Sequence, residues 1–192
     1  MIIFGLGNPG VRYRSTRHNV GYVFLSRLAR VQKRKFLLHK GYKIAKIKIA
    51  RKTINLIKPS CWMNQSGIVV AQVLQEIAQD FLIVLDDVNL PLGKIRMRSR
   101  GSDGGHLGLR SIINTLNSSN FPRLRIGIGC SNDVTSYVLS SFKPKEKKIL
   151  KSVIEQGIGG IEIMLKQSFA KAQNYINAID LTVKFEARNP KP

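Results

Sequence analysis

Of the three histidines in the chain, two stand where a fold could put them to chemical use. His18 lies between Arg17 and Asn19, just ahead of a stretch with helical periodicity, so a loop-to-helix junction can turn its imidazole toward a cleft. An imidazole titrates near neutral pH and suits a general base; the competing role is a local structural hydrogen bond. His106 ends the run Asp103-Gly104-Gly105-His106 and also stands at the start of a helical pattern. His39, in a basic polar stretch, reads as a solvated surface side chain. Asp86 closes the apolar run FLIVLD. In open α/β sheets the carboxyl ends of the strands line the ligand crevice, so an acid there is placed to orient a histidine, while Asp87 beside it can simply be solvated. Asn8 and Asn64 fall in loops, and each amide offers a donor and an acceptor. That suits gripping a peptide backbone or a carbonyl that develops charge. Their competing roles are a turn before Pro9-Gly10 for Asn8 and a helix cap before Gln65-Ser66-Gly67 for Asn64.

Several other chemistries find no support in the residues. There is no Gly-x-Ser-x-Gly, and Ser66-Gly67 lacks the leading glycine, so a histidine-activated water is the more economical hydrolytic route. Cys61 and Cys130 are far apart and near no histidine pair, which argues against a zinc site or a disulfide framework. No metal and no cofactor is expected. The loop Gly5-x-Gly7-x-x-Gly10 superficially matches a dinucleotide fingerprint. However, residues 11–17 intervene before any helix can begin, and no acid precedes Glu76 to hold a ribose hydroxyl.

The elements that must position these residues alternate in an α/β rhythm. Residues 1–6 read as a buried strand, and a helix runs from Asn19 to about Lys33 with Val20, Phe24, Leu28 and Val31 on one face. Residues 42–49 and 53–58 pair around a turn at Arg51–Lys52. A loop from Pro59 to Gly67 precedes a helix marked by Val70, Val73, Leu74 and Ile77. Strands follow at 81–86, 94–98 and 123–129, with a glycine-rich loop and a helix at 107–116 between the last two. From Pro144 onward the pattern is helical. No internal boundary divides the chain, so a single domain over 1–182 is expected, with 183–192 a flexible charged tail.

The charge is strongly one-sided. Lys plus Arg number 32 against 11 acids, a net charge of +21, and residues 1–75 contain no acid at all. Such a field attracts polyanions, nucleic acid above all, because neutralising phosphates releases counterions. No helix pairs a basic stripe with a strongly apolar face, no apolar stretch approaches a membrane span, and the N-terminus lacks a charged signal region. These observations predict a cytoplasmic protein with no membrane partner.

Read in order, Gly-Leu-Gly-Asn8-Pro-Gly, Tyr13, Thr16-Arg17-His18-Asn19-Val-Gly21, Lys58-Pro59 and Trp62-Met63-Asn64-Gln-Ser-Gly67 resemble bacterial-type peptidyl-tRNA hydrolases. The likeness continues through Asp86-Asp87, Leu-Pro91-Leu-Gly93, Gly104-Gly105-His106-x-Gly-Leu and Asn120-Phe-Pro-Arg123-Leu-Arg125-Ile-Gly-Ile-Gly, reaching about residue 178. The resemblance implies a single α/β domain with a mixed, twisted central sheet flanked by helices. It also implies cleavage of the ester between a peptide and the 3′-terminal ribose of tRNA, which recycles tRNA, by a monomer that needs no metal. His18 then corresponds to the catalytic base and Asp86 to the carboxylate that orients it. Asn8, Tyr13, Met63, Asn64 and His106 correspond to the substrate grip, and Arg96, Arg98 and Arg125 to cations that hold tRNA phosphate. Leu107 departs from the pattern, standing where the family commonly has Asn, and Asn89 stands where an acid is common nearby. The competing expectation is a non-catalytic RNA-binding relative that serves as a splicing or assembly cofactor.

Overall fold

A computed structural model describes residues 1–182; the expected tail, 183–192, lies outside the described residues. Thirteen main elements follow in chain order: β1 (Ile2–Gly5), α1 (Val20–Val31), β2 (Leu37–His39), β3 (Tyr42–Ile49), β4 (Lys52–Pro59), α2 (Ser66–Glu76), β5 (Phe81–Asp87), β6 (Ile95–Arg98), α3 (Leu107–Leu116), β7 (Arg123–Gly127), α4 (Val134–Leu139), α5 (Pro144–Lys166) and α6 (Phe169–Ala178). Short 3-10 turns precede α1 and α2.

The strands form one mixed sheet in the order β2-β3-β4-β1-β5-β7-β6. β4, β1, β5 and β7 run parallel in the centre, and antiparallel neighbours close both sides. All four residues of β1 are buried, as a central parallel strand with both faces covered requires. Its side chains alternate between two cores. Ile3 packs with α1 and α5 through Phe24, Val153 and Ile161, whereas Ile2 and Phe4 pack with α2 and α3 through Val70, Val73 and Ile112. The free edge of β6 is covered by α6: Asn177 Oδ1 accepts from Met97 N at 2.8 Å and its Nδ2 donates to Met97 O at 3.2 Å. A side-chain amide thus occupies backbone groups that would otherwise invite another strand.

Two elements differ from the sequence expectation. β2, a three-residue strand, is set by its pairing with β3 and carries no alternating pattern of its own. α4 is a single short helix with no buried residue, too brief to show a period. The β3–β4 turn also sits one residue earlier than expected. Ala50 and Arg51 both adopt left-handed backbone, with φ of 49° and 62°, as a tight two-residue hairpin demands.

One close approach sets the site. A Cβ on Gly21 would lie 2.4 Å from Val84 O, and one on Gly5 would lie 2.5 Å from Gly21 O. Only paired glycines let the start of α1 rest on the backbone of β1 and β5, which brings the residues just before α1 onto the ends of those strands.

Candidate active site

Because β4, β1, β5 and β7 are parallel, their C-terminal ends share one edge, and the loops that leave them meet there. β1 leads into Asn8, β4 into Trp62, Met63 and Asn64, β5 ends on Asp86 and Asp87, and β7 leads toward α4. The N-terminus of α3 adds His106. Together they enclose a cavity of about 700 Å³.

His18 sits in the 3-10 turn Arg17–Asn19, pinned from both sides. Arg17 N donates to Ser140 O at 3.0 Å, and Thr16 bridges Ser141. The Arg17 guanidinium, 3% exposed, donates two hydrogen bonds to Glu146, at 2.9 and 2.8 Å. It also lies over the rings of Tyr137 and Phe142, 4.3 and 4.7 Å from their centroids. The backbone that carries His18 is therefore tied to α4 and to the first turn of α5.

Asp86 is buried between two imidazoles. His18 Nδ1 lies 3.0 Å from both carboxylate oxygens, and His106 Nε2 lies 3.0 Å from Oδ1. Burial by itself pushes the Asp86 carboxyl upward. The imidazoles of His106 and then His18 outweigh it together, holding the group well below the usual carboxylate range. The proton positions follow from the partners. His106 Nδ1 accepts from Leu109 N at 3.1 Å, capping α3, so the His106 proton resides on Nε2 and is donated to Asp86. Neither ring nitrogen of His106 is left for a substrate. His18 donates through Nδ1, and no described residue bonds its Nε2, so that lone pair is open to the cavity it lines.

The asparagines form a chain. Asn19 Oδ1 accepts from Asn8 N at 2.8 Å and Asn19 Nδ2 donates to Asn8 O at 2.9 Å. Asn8 Oδ1 in turn accepts from Met63 N at 2.8 Å. The orientation of the Asn8 amide is thereby fixed with its NH₂ as the free end. Asn64 is exposed on the cavity wall and does not cap α2, a position held by Gln65.

Arg123, at 1% exposure, anchors the glycine-rich segment that leads to His106. Its guanidinium donates to the carbonyls of Gly101, Ser102, Ser119 and Phe121, and burial followed by the neighbouring Arg125 pushes it down to about 10.

Of the residues expected at the site, Asn8, His18, Met63, Asn64, Asp86, Arg98, His106 and Arg125 line the cavity. Tyr13 stays outside, packed edge-on against Trp62 at 5.7 Å between centroids. Arg96 is also outside, its Nη1 donating to Asn177 O at 2.8 Å. Arg125 is ion-paired with Asp87, whereas Arg98 is exposed and unpaired among the described residues. Sequence reasoning passed over Arg17, Asn19 and Arg123 as working parts. Arg17 and Asn19 flank His18 inside one motif, and that adjacency was the available signal; Arg123 gave none.

His18, Asp86 and His106 also form the one group among the described residues that could offer ligand atoms to a metal, all within 4.8 Å of one another. An ion there would have to displace both imidazole–carboxylate hydrogen bonds and the His106 Nε2 proton. No helix of the described residues is long and apolar enough to cross a membrane.

A family model described as peptidyl-tRNA hydrolase matches residues 2–184. The peptidyl-tRNA hydrolase of Aquifex aeolicus is 40% identical over 187 residues, covering 94% of this chain and 97% of that protein. That of Caldicellulosiruptor bescii is 44% identical over 185 residues, covering 92% and 96%. A crystal structure of peptidyl-tRNA hydrolase from Acinetobacter baumannii superposes with a TM-score of 0.89 at 30% identity, covering 93% of this chain and 95% of that one.

Proposed function

The chain belongs to the peptidyl-tRNA hydrolase family and is a hydrolase acting on peptidyl-tRNA; from that premise we propose that His18 and Asp86 perform the reaction without a metal. The observation that carries this reading is the His18 Nδ1–Asp86 contact at 3.0 Å, which leaves Nε2 on the cavity wall with no partner among the described residues.

His18 Nε2 takes a proton from water as the oxygen attacks the carbonyl carbon of the ester that joins the peptide to the 3′-terminal ribose. Negative charge gathers on the carbonyl oxygen, where the preoriented NH₂ of Asn8, assisted by Asn64, donates to it. The intermediate collapses by breaking the bond to the ribose oxygen, and protonated His18 returns its proton to that leaving group. Asp86 stabilises the imidazolium in between. A positioned base contributes ~10²–10⁴-fold and one oxyanion donor ~10²–10³-fold, enough for an ester. His106 serves by holding Asp86 through Oδ1, its ring 4.8 Å from that of His18.

Arg98 and Arg100, exposed at the cavity and unpaired among the described residues, supply cations for tRNA phosphate. Arg96 and Arg125 are already engaged and serve more weakly. The reading includes a cytoplasmic monomer. The free thiols Cys61 and Cys130 suit a reducing compartment. The competing role as a non-catalytic RNA-binding cofactor leaves the His18–Asp86–His106 arrangement without a use, and the relatives are named as hydrolases.

The test is release of labelled N-acetylaminoacyl groups from tRNA by the wild type and by His18→Ala, each after EDTA treatment and with Mg²⁺ restored for tRNA folding. Wild-type turnover should survive chelation, and His18→Ala should lose at least ~10²-fold in the chemical step while still binding tRNA. Wild-type rates in the variant, or a loss rescued only by Zn²⁺, would reject the mechanism.

A further inference from the structure

Exposed apolar side chains gathered in one cavity, unlike those scattered singly over a surface, mark a binding groove. Four such side chains, Trp62 at 52%, Leu107 at 51%, Val134 at 46% and Leu139 at 42%, line the same cavity as His18. They come from separate parts of the chain. Trp62 precedes the 3-10 turn Met63–Gln65, and that turn packs against the N-terminal end of α3, where Leu107 is the first helical residue. The packing is tight: a Cβ on Gly108 would lie 2.5 Å from Met63 Sδ. Val134 and Leu139 open and close α4, whose backbone is fastened to the His18 turn through Ser140 and Arg17. Leu107 follows His106 directly, so this apolar surface begins beside the Asp86 hydrogen-bond network.

We propose that these four side chains form a subsite for a large apolar side chain of the peptide close to the ester, and that the enzyme selects peptidyl-tRNAs on that basis. The inference rests on the hydrolase reading above and adds a substrate preference to it. A nucleobase fits the subsite less well. Three of the four side chains are branched aliphatics with no flat face to stack on, while the phosphate-binding groups, Arg98 and Arg100, come from a different segment. A polar peptide side chain would leave the four surfaces in water and lose its own hydration on entry. An apolar one removes both surfaces from water at once.

The experiment uses one tRNA charged with N-acetyl dipeptides that differ only in the residue esterified to the ribose: Leu, Phe, Ala, Asn and Asp. Wild-type kcat/KM should favour Leu and Phe over Asn by about tenfold, chiefly through KM, the scale on which apolar pockets discriminate. Leu107→Asn and Trp62→Ala should each compress that ratio toward one. Leu107→Ala provides a second variant at the same place that introduces no new polar group. Equal kcat/KM across the wild-type panel, or a ratio unchanged in all three variants, overturns the subsite and leaves the hydrolase reading intact. Failure to release any of the peptides would instead strike at the hydrolase reading.

Discussion

The carboxamide of Asn19 closes on the backbone of Asn8 from both sides, accepting from its N–H at 2.8 Å and donating to its carbonyl at 2.9 Å. Asn19 stands next to His18, so one side chain ties the loop after β1 to the turn that carries the proposed base. Asn8 passes the constraint on through Oδ1 to Met63 N. The proposed oxyanion donor and the proposed base thus share one frame.

Asn19→Ala should cost about 1–3 kcal/mol of folding stability, because it leaves the Asn8 N–H and C=O without partners in a buried setting. kcat should fall more than KM rises, since the donor loses its aim at the developing charge. Urea denaturation and steady-state kinetics on one peptidyl-tRNA check both. Stability and kcat within error of the wild type would show that the bracket does not matter.

Acid stability should report on Asp86. Its carboxyl is held below the ordinary value, so the stability it contributes is fully present above the unfolded pKa of ~3.9 and is lost as pH falls toward the folded value. His106→Asn keeps an acceptor to cap α3 but shortens the side chain that reaches Asp86. The Asp86 carboxyl should rise toward its ordinary value, and the change in unfolding free energy between pH 5 and 3 should shrink. Urea unfolding across that range decides the matter. An identical slope in the two proteins would show that His106 does not hold the carboxylate down.

Breaking the Arg17–Glu146 pair should loosen the wall of the cavity. Glu146→Gln removes the charge facing a guanidinium that is 3% exposed. Glu146 is itself partly exposed, so the loss belongs at the low end for buried pairs, about 3 kcal/mol or somewhat less. α4 supplies Val134, Thr135, Val138 and Leu139 to the cavity, so KM should rise more than kcat falls. A loss of thermal stability with unchanged KM would mean that α4 stays in place without the pair.

The arginines should separate by their existing partners. Arg98→Ala should reduce the slope of log K against log salt for tRNA binding by about one unit, the effect of one lost phosphate contact. Arg125→Ala should reduce it less, because Asp87 already neutralises that guanidinium, and Arg96→Ala less again, because it is bonded to α6. Filter binding of tRNA over a range of KCl gives the three slopes. Equal reductions would show that these partners are surrendered to the phosphate.

Much was legible before folding. The apolar runs and helical periods placed nearly all of the sheet, α1, α2, α3 and one helical stretch that the fold divides into α5 and α6, because such patterns follow from burial of one face or both. His18 and Asp86 could be selected because each sits at the boundary of a regular element, where chemistry-bearing side chains reach a crevice. The sequence blocks likewise pointed to the family, which the relatives confirm. Tertiary structure alone decided how those residues meet. Asp86 reaches His18 across 68 positions, and Arg17 reaches Glu146 across 129. These pairings follow from the strand order, and local periodicity carries no information about it. β2 and α4 escaped notice because three and six residues are too few to show a period. That both ring nitrogens of His106 are taken up, one by Asp86 and one by the first turn of α3, is likewise visible only in the folded chain. Which of the arginines have partners within the protein was likewise decided only when folding supplied Asp87 to Arg125 and a helix-end carbonyl to Arg96, since a guanidinium's partners are set by what packs beside it.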